Sequence, residues 1–200
     1  MYVATQDSTP IELYQLLTGG IIPRPIAWIS TQNAQGLTNL APYSFFSVAS
    51  CNPPVLTFTN VPSRDLLTKD TLANLLETKE CVVHIVPAEQ ADLMNASCAN
   101  FSSTQSEIDE IGIETTASYK VSPPSIKAAA VRYECTLREV ITISDKPVGG
   151  VLVLLDVVAI HVDDSVLQDN IIQANLLDTI GKLGGDNYCY SKEDITLPRP

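Results

Sequence analysis

The sequence predicts a mainly β domain, an antiparallel β-barrel with short helices at its periphery. Three observations carry this. At least six segments read as strands, and many of them are adjacent along the chain. The helical segments are short and scattered among the strands, unlike the regular alternation of βαβ units. No G-x-G-x-x-G follows a strand and no G-x-x-x-x-G-K-[ST] occurs, so a Rossmann or P-loop site has no support.

The elements follow in order. Residues 11–18, IELYQLLT, read as a helix stopped by Gly19 and Gly20. PRPIAWIST is a strand whose entry is fixed by Pro23 and Pro25, and NAQG (33–36) is a turn. Residues 37–50 read as a strand broken or bent at Pro42; after NPP (52–54), VLTFTNV alternates with period two. KDTLANLLETK (69–79) is a helix with Leu72, Leu75 and Leu76 on one face and Thr68 or Asp70 as its cap. ECVVHIV is a buried strand and AEQADLMNASCANF a more polar helix. Residues 102–130 form a long irregular excursion. VRYECTLREVITIS and GGVLVLLDVVAIHV are long strands joined by a hairpin-like turn at DKPVG, and IIQANLLDTI is the last helix.

Two hundred residues can bury a core without disulfides or a structural metal. Only 18% of them are charged, against roughly 25% in an average domain, which hints at surface covered by a partner subunit or a ligand. The net charge is −11. An acidic chain without a basic stripe is no non-specific nucleic-acid binder, and an anionic membrane repels it. The longest apolar stretch, VLVLLDVVAIHV, is interrupted by Asp156, so no spanning helix is expected. The segment MYVATQDSTPIELYQ lacks the basic and apolar regions of a signal peptide. Five cysteines, none in C-x-x-C, argue against a disulfide framework or a zinc site. Reduced thiols in the cytoplasm are the expectation. His84 and His161 lie in apolar runs and read as hydrogen-bonded core or edge residues; neither supports a Cys–His nucleophile.

Residues 1–78 carry three cationic side chains: Arg24, Arg64 and Lys69. Lys69 stands at the start of a helix, where free N–H groups and the helix dipole favour an anion. With Thr71 in the first turn and Arg64 in the preceding loop, a phosphate cradle is one reading; a capped helix with solvated charges is the other. The segment TNLAPYSFFSVASCNPP mixes small and hydroxyl side chains with aromatics. It suits a flat heteroaromatic ligand read by backbone groups, or else is a bulged strand with a Ser-rich edge.

Five motifs in order resemble the flavin reductase-like, FMN-binding split-barrel family. They are GIIPRPIAWIST (20–31), G-x-x-NLAPYSFFSVASCNPP (36–54), KDTLANL (69–75), CVVHIV (81–86) and the terminal GKLGGDNYCY…LPRP. The resemblance implies a six-stranded antiparallel split barrel, a single domain over residues 1–200, and a homodimer with FMN in a groove at its interface. It implies that Arg24 approaches the flavin from the PRP turn, and that Asn39, Ala41 and Ser44 contact the ring or ribityl chain, with Ser50 beside them. Arg64, Lys69 and Thr71 then hold the phosphate, Asn74 braces the loop, and Tyr188 covers the site. Two positions depart from the family pattern: His84, where Asn is common, and Lys182, where Arg is common. The implied activity is NAD(P)H-dependent flavin reduction for a partner oxygenase or redox protein. The flavin carries the hydride chemistry, so no catalytic side chain is expected. The alternatives are an FMN-bound electron carrier of the flavoredoxin kind and a non-redox barrel holding another anion.

Overall fold

Helix α1 (Pro10–Gly20) begins with a reciprocal cap. Thr9 Oγ1 accepts from the Glu12 N–H (3.3 Å), and the Glu12 carboxylate accepts from the Thr9 N–H (2.8 Å). The helix runs through Gly19 and Gly20 instead of stopping at them. Neither adopts a positive φ, and Ile21 closes the last turn with its N–H on Leu17 O (3.0 Å). Pro23, lacking an N–H, cannot prolong it. The computed structural model describes residues 1–61, 70–193 and 195–198. Thr68, Arg64 and Lys69 lie outside them.

Strands β1 (Arg24–Pro25) and β2 (Ala27–Gln32) lead to the predicted turn, where Gly36 at φ 85° donates to Asn33 O (3.0 Å). Next come β3 (Thr38–Tyr43), β4 (Phe46–Cys51) and β5 (Pro54–Asn60). The expected bend at Pro42 falls instead at Ser44 and Phe45: Pro42 pairs with Trp28 inside β3. A proline is tolerated there because β3 is an edge strand. Helix α2 (Asp70–Thr78) and β6 (Glu80–Ile85) match expectation. The next predicted helix is a 3₁₀ turn (Ala88–Gln90) followed by a short α3 (Ala91–Ala96). The excursion contains α4 (Glu107–Glu110), β7 (Thr115–Thr116) and β8 (Ser125–Ile126). The long hairpin is β9 (Val131–Thr142) and β10 (Val151–Val162).

The last predicted helix is largely absent. Its span divides into β12 (Ile171–Ile172), which pairs with β11 (Leu167–Gln168), a four-residue α5 (Ala174–Leu177), and the start of β13 (Ile180–Lys182). Asp178 at φ 42° ends α5 in the left-handed region, and β13 pairs with both β1 and β14 (Tyr188–Tyr190).

The main sheet has seven antiparallel strands, ordered β3-β2-β6-β9-β10-β5-β4, one more than expected. The extra strand arises because residues 37–50 supply both edges. Tyr43 ends one edge and Phe46 begins the other, three Cα steps and so at most about 11 Å apart. The sheet must therefore curl until its edges meet at that bend, which is the closure of a split barrel.

Alternation along β2 separates two cores. Ala27 and Ile29 face inward to Tyr43, Phe58, Leu75, Val83 and Leu155. Ile26 and Trp28 face outward to Leu40, Val86, Met94, Ile108 and Ile126, beneath α3, α4 and the excursion. Two buried side chains pin that outer layer. His84 bridges Trp28 O (2.8 Å) and the Ile126 N–H (2.9 Å). Glu134, 3% exposed, accepts from the Tyr119 and Lys120 N–H groups (2.9 and 2.5 Å). None of the five cysteines is in a disulfide, and Cys81 and Cys135 are cross-strand partners in the core. Among the described residues no helix is long and apolar enough to cross a membrane.

Candidate functional site

The edge strand β3 and the start of α2 meet through Asn39 and Thr71. Asn39 pairs with Thr31 in the ladder, and its carboxamide lies 2.9 Å from Thr71 Oγ1. The orientation that satisfies both its ends points Oδ1 at Thr71 and Nδ2 at Glu107 Oε1 (3.2 Å). Thr71 is fully buried near Tyr43; burial drives the Tyr43 hydroxyl pKa far above its ordinary range, and Thr71 works against that shift. Asn74 donates to Thr31 Oγ1 (3.1 Å), which fastens α2 to β2. Beside this network is a polar cleft of about 140 Å³, lined by Asn33, Thr38, Asn39, Asp70, Asn74 and Gln105 among others.

Glu107, which the sequence reading left unassigned within the excursion, closes the network from behind. Its Oε2 accepts from the Leu40 N–H (2.9 Å). Burial raises its pKa; the Leu40 hydrogen bond works in the opposite direction. Its one sequence signal is the N-cap Ser106, whose Oγ accepts from the Asp109 N–H (3.4 Å) and sits 2.6 Å from Thr38 Oγ1 on β3.

A second group gathers at the other end of β3. Arg24 is 6% exposed. Its guanidinium donates to Thr18 O, Ile21 O (2.9 Å), Leu183 O (3.0 Å) and Ser44 Oγ (3.4 Å), and it lies 6.0 Å from the Phe45 ring centre. One residue thus ties the end of α1, the barrel-closing bend and the C-terminal segment together. Arg24 is the ladder partner of Lys182. Lys182 Nζ stands 3.9 Å above the Tyr188 ring. Burial, with the nearby Arg24 charge, lowers its pKa. Lys182 and Tyr188 line a cleft of about 430 Å³ with Met94, Asn95, Asp186 and Tyr190.

The structure therefore joins Asn39 with Thr71, and Arg24 with Ser44. Tyr188 sits across from Arg24 through Lys182, and Ala41 is half-buried between the two groups on β3. Ser50 lies six residues beyond Ser44 near the end of β4, with its Oγ accepting from the Asn52 N–H (3.2 Å). His84 is a core residue and not a site residue.

Residues 19–181 match the model of the flavin reductase like domain. The chain belongs to the flavin reductase-like family. It is similar over 98% of both chains to nitrilotriacetate monooxygenase component B from Bacillus cereus, with 32% identity and a TM-score of 0.92. It is similar to the 2-nitrobenzoate 2-nitroreductase NbaA of Pseudomonas fluorescens, with 30% identity and a TM-score of 0.89, over 100% of this chain and 96% of that one. An uncharacterized protein of Aquifex aeolicus is 36% identical over 177 residues, 88% of each chain. Family membership places this split barrel among flavin reductase-like folds.

Proposed function

We propose that the protein binds FMN and reduces it with NAD(P)H, handing the reduced flavin to a partner oxygenase or redox protein. The observation that carries this reading is the junction of Asn39 with Thr71 at the head of α2 in a chain of the flavin reductase-like family. The donor set suits a phosphate: amides and hydroxyls line the cleft, beside the N–H groups that open a nine-residue helix. Asp70 puts a negative charge there, so a dianion needs cations. Arg64 and Lys69, both just upstream in sequence, are the proposed source.

Backbone groups of the bend at Ser44 and Phe45 would read the polar edge of the ring, and Ala41 on β3 is small enough to allow its close approach. Ser50 borders that surface on β4. Arg24 holds the bend and the Leu183 loop in place, and Tyr188 covers the open side. When bound, FMN supplies the hydride-accepting chemistry. The side chains bind, orient and exclude water, which is why no nucleophile or acid–base pair is needed. The active unit is a homodimer. The low content of charged residues and the exposed apolar side chains of α1 (Tyr14, Leu16, Leu17) support a covered surface. Similarity over the whole chain to a monooxygenase component supports an oxygenase as recipient.

Steady-state consumption of NADH and of NADPH, with FMN as acceptor, tests the activity. Multiple turnovers that scale with added FMN are expected. Bleaching of bound flavin without turnover of free FMN would make the protein an electron carrier instead.

A further inference from the structure

Behind β3 lies a chain of polar groups whose hydrogens can be placed by elimination. Glu107, Asn39, Thr71 and Tyr43 are each 8% exposed or less, so water does not complete their bonds. Glu107 Oε2 accepts from the Leu40 N–H (2.9 Å). Its Oε1 faces Asn39, 3.2 Å away, and a carboxylate oxygen only accepts, so Asn39 presents Nδ2. Asn39 Oδ1 is thereby turned toward the Leu40 N–H (3.1 Å) and Thr71 Oγ1 (2.9 Å). Thr71 must donate to it, because Asn39 Oδ1 only accepts. A single negative charge thus sets the direction of each movable proton across the network.

We propose that Glu107 is a positioning residue for the ligand-binding corner: it fixes the polarity of Asn39 and Thr71 and keeps the second Asn39 N–H as a donor at the cleft. The step from polarity to ligand rests on the flavin reading above. As a charge, Glu107 disfavours an anion nearby; what it supplies lies elsewhere. It contributes orientation, which a neutral acceptor of the same shape cannot.

Glu107→Gln isolates that property. Glutamine keeps the shape but carries one donor and one acceptor end. If its oxygen takes the Leu40 N–H, its amino group faces Asn39 Nδ2; if it turns, its amino group faces the Leu40 N–H. Turning Asn39 as well only moves the conflict, because Nδ2 then meets the Leu40 N–H. Every arrangement leaves two donors opposed. The pair Glu107→Gln with Asn39→Asp removes the conflict at unchanged net charge. The introduced glutamine then donates to a carboxylate at position 39, which still accepts from Thr71 and Leu40.

The test is FMN affinity and thermal unfolding of wild type, both single variants and the double variant. Glu107→Gln is expected to weaken FMN binding by about ten-fold, the loss of one charge-assisted contact. Asn39→Asp, which opposes two carboxylates, is expected to weaken it at least as much. The double variant is expected to regain the melting temperature of wild type, because coupled sites do not add, but not its FMN affinity, because a carboxylate at position 39 has no N–H to offer the ligand. Unaltered affinity in Glu107→Gln, or a double variant that melts no higher than the singles, overturns the proposal. If Glu107→Gln does not fold, the double variant must fold; its failure to do so is equally decisive. If wild type itself binds no FMN, the flavin reading fails. The polarity is then judged on unfolding alone, where a double variant melting no higher than Glu107→Gln overturns it.

Discussion

Replacing His84 with alanine is expected to cost about 4 kcal/mol of stability, the sum of two orphaned buried partners and a side-chain-sized cavity. His84 is fully buried between the barrel wall and the excursion, and both its ring nitrogens are engaged. Nε2 accepts from the Ile126 N–H, so Nδ1 carries the single proton and donates to Trp28 O. That arrangement exists only for neutral imidazole. A second proton would have to oppose the Ile126 N–H in a site without water. Burial accordingly holds the pKa down at about 3, helped by the Arg132 charge.

The sign of the pH effect follows. The folded pKa is depressed below the unfolded value of roughly 6.5, so the unfolded chain takes up the proton first. The contribution of His84 to stability is fully present above pH 6.5 and declines as the pH falls toward 3. Between pH 7 and pH 5, a window above most carboxylate titration, this amounts to about 2 kcal/mol. Urea midpoints measured across that window should fall for the wild type. In His84→Ala the same window should be flatter by that amount. A parallel pH dependence in the two proteins would mean that His84 is not held neutral.

Arg24→Met is expected to cost about 3–5 kcal/mol, because it leaves three backbone carbonyls and Ser44 without their donor in a site closed to water. The loss should be local as well as global. Arg24 joins the end of α1, the bend at Ser44 and Phe45, and Leu183. Its removal should expose the chain near residues 18–22 to protease well below the melting temperature. Arg24→Lys should recover only part of the stability. One ammonium cannot reach carbonyls on two sides at once, whereas the guanidinium fork does so by its shape. A lysine variant as stable as wild type would show that charge alone suffices there.

Much of this architecture was legible from periodicity. The strands of the main sheet, the NAQG turn, α2 and the long β9–β10 hairpin all follow from alternation, helical spacing or turn residues. The errors have physical causes. Gly19 and Gly20 look like a helix stop, yet they lie within a helix held at its far end by the Thr9 cap and near its last turn by Arg24. Pro42 looks like a bend, but an edge strand needs no N–H there. IIQANLLDTI has helical composition, and tertiary pairing of β13 with β1 and β14 overrides it. In the site, the meeting of Asn39 with Thr71 followed motifs already visible in the chain. Glu107 did not, because its importance lies in a contact across 67 residues within a segment without periodicity. Lys182 appeared only as a departure from a pattern; its packing on Tyr188 and its pairing with Arg24 required the fold.

The central claim is that a phosphate is gripped at the head of α2 while a planar ring follows β3. Comparing the affinities of FMN and riboflavin, which share the ring and differ in the phosphate, tests it most directly. FMN is expected to bind about 100-fold more tightly, the worth of two charge-assisted hydrogen bonds, with that gap narrowing about ten-fold in Lys69→Ala. Equal affinities for the two flavins, or a gap untouched by removing Lys69, would contradict the account.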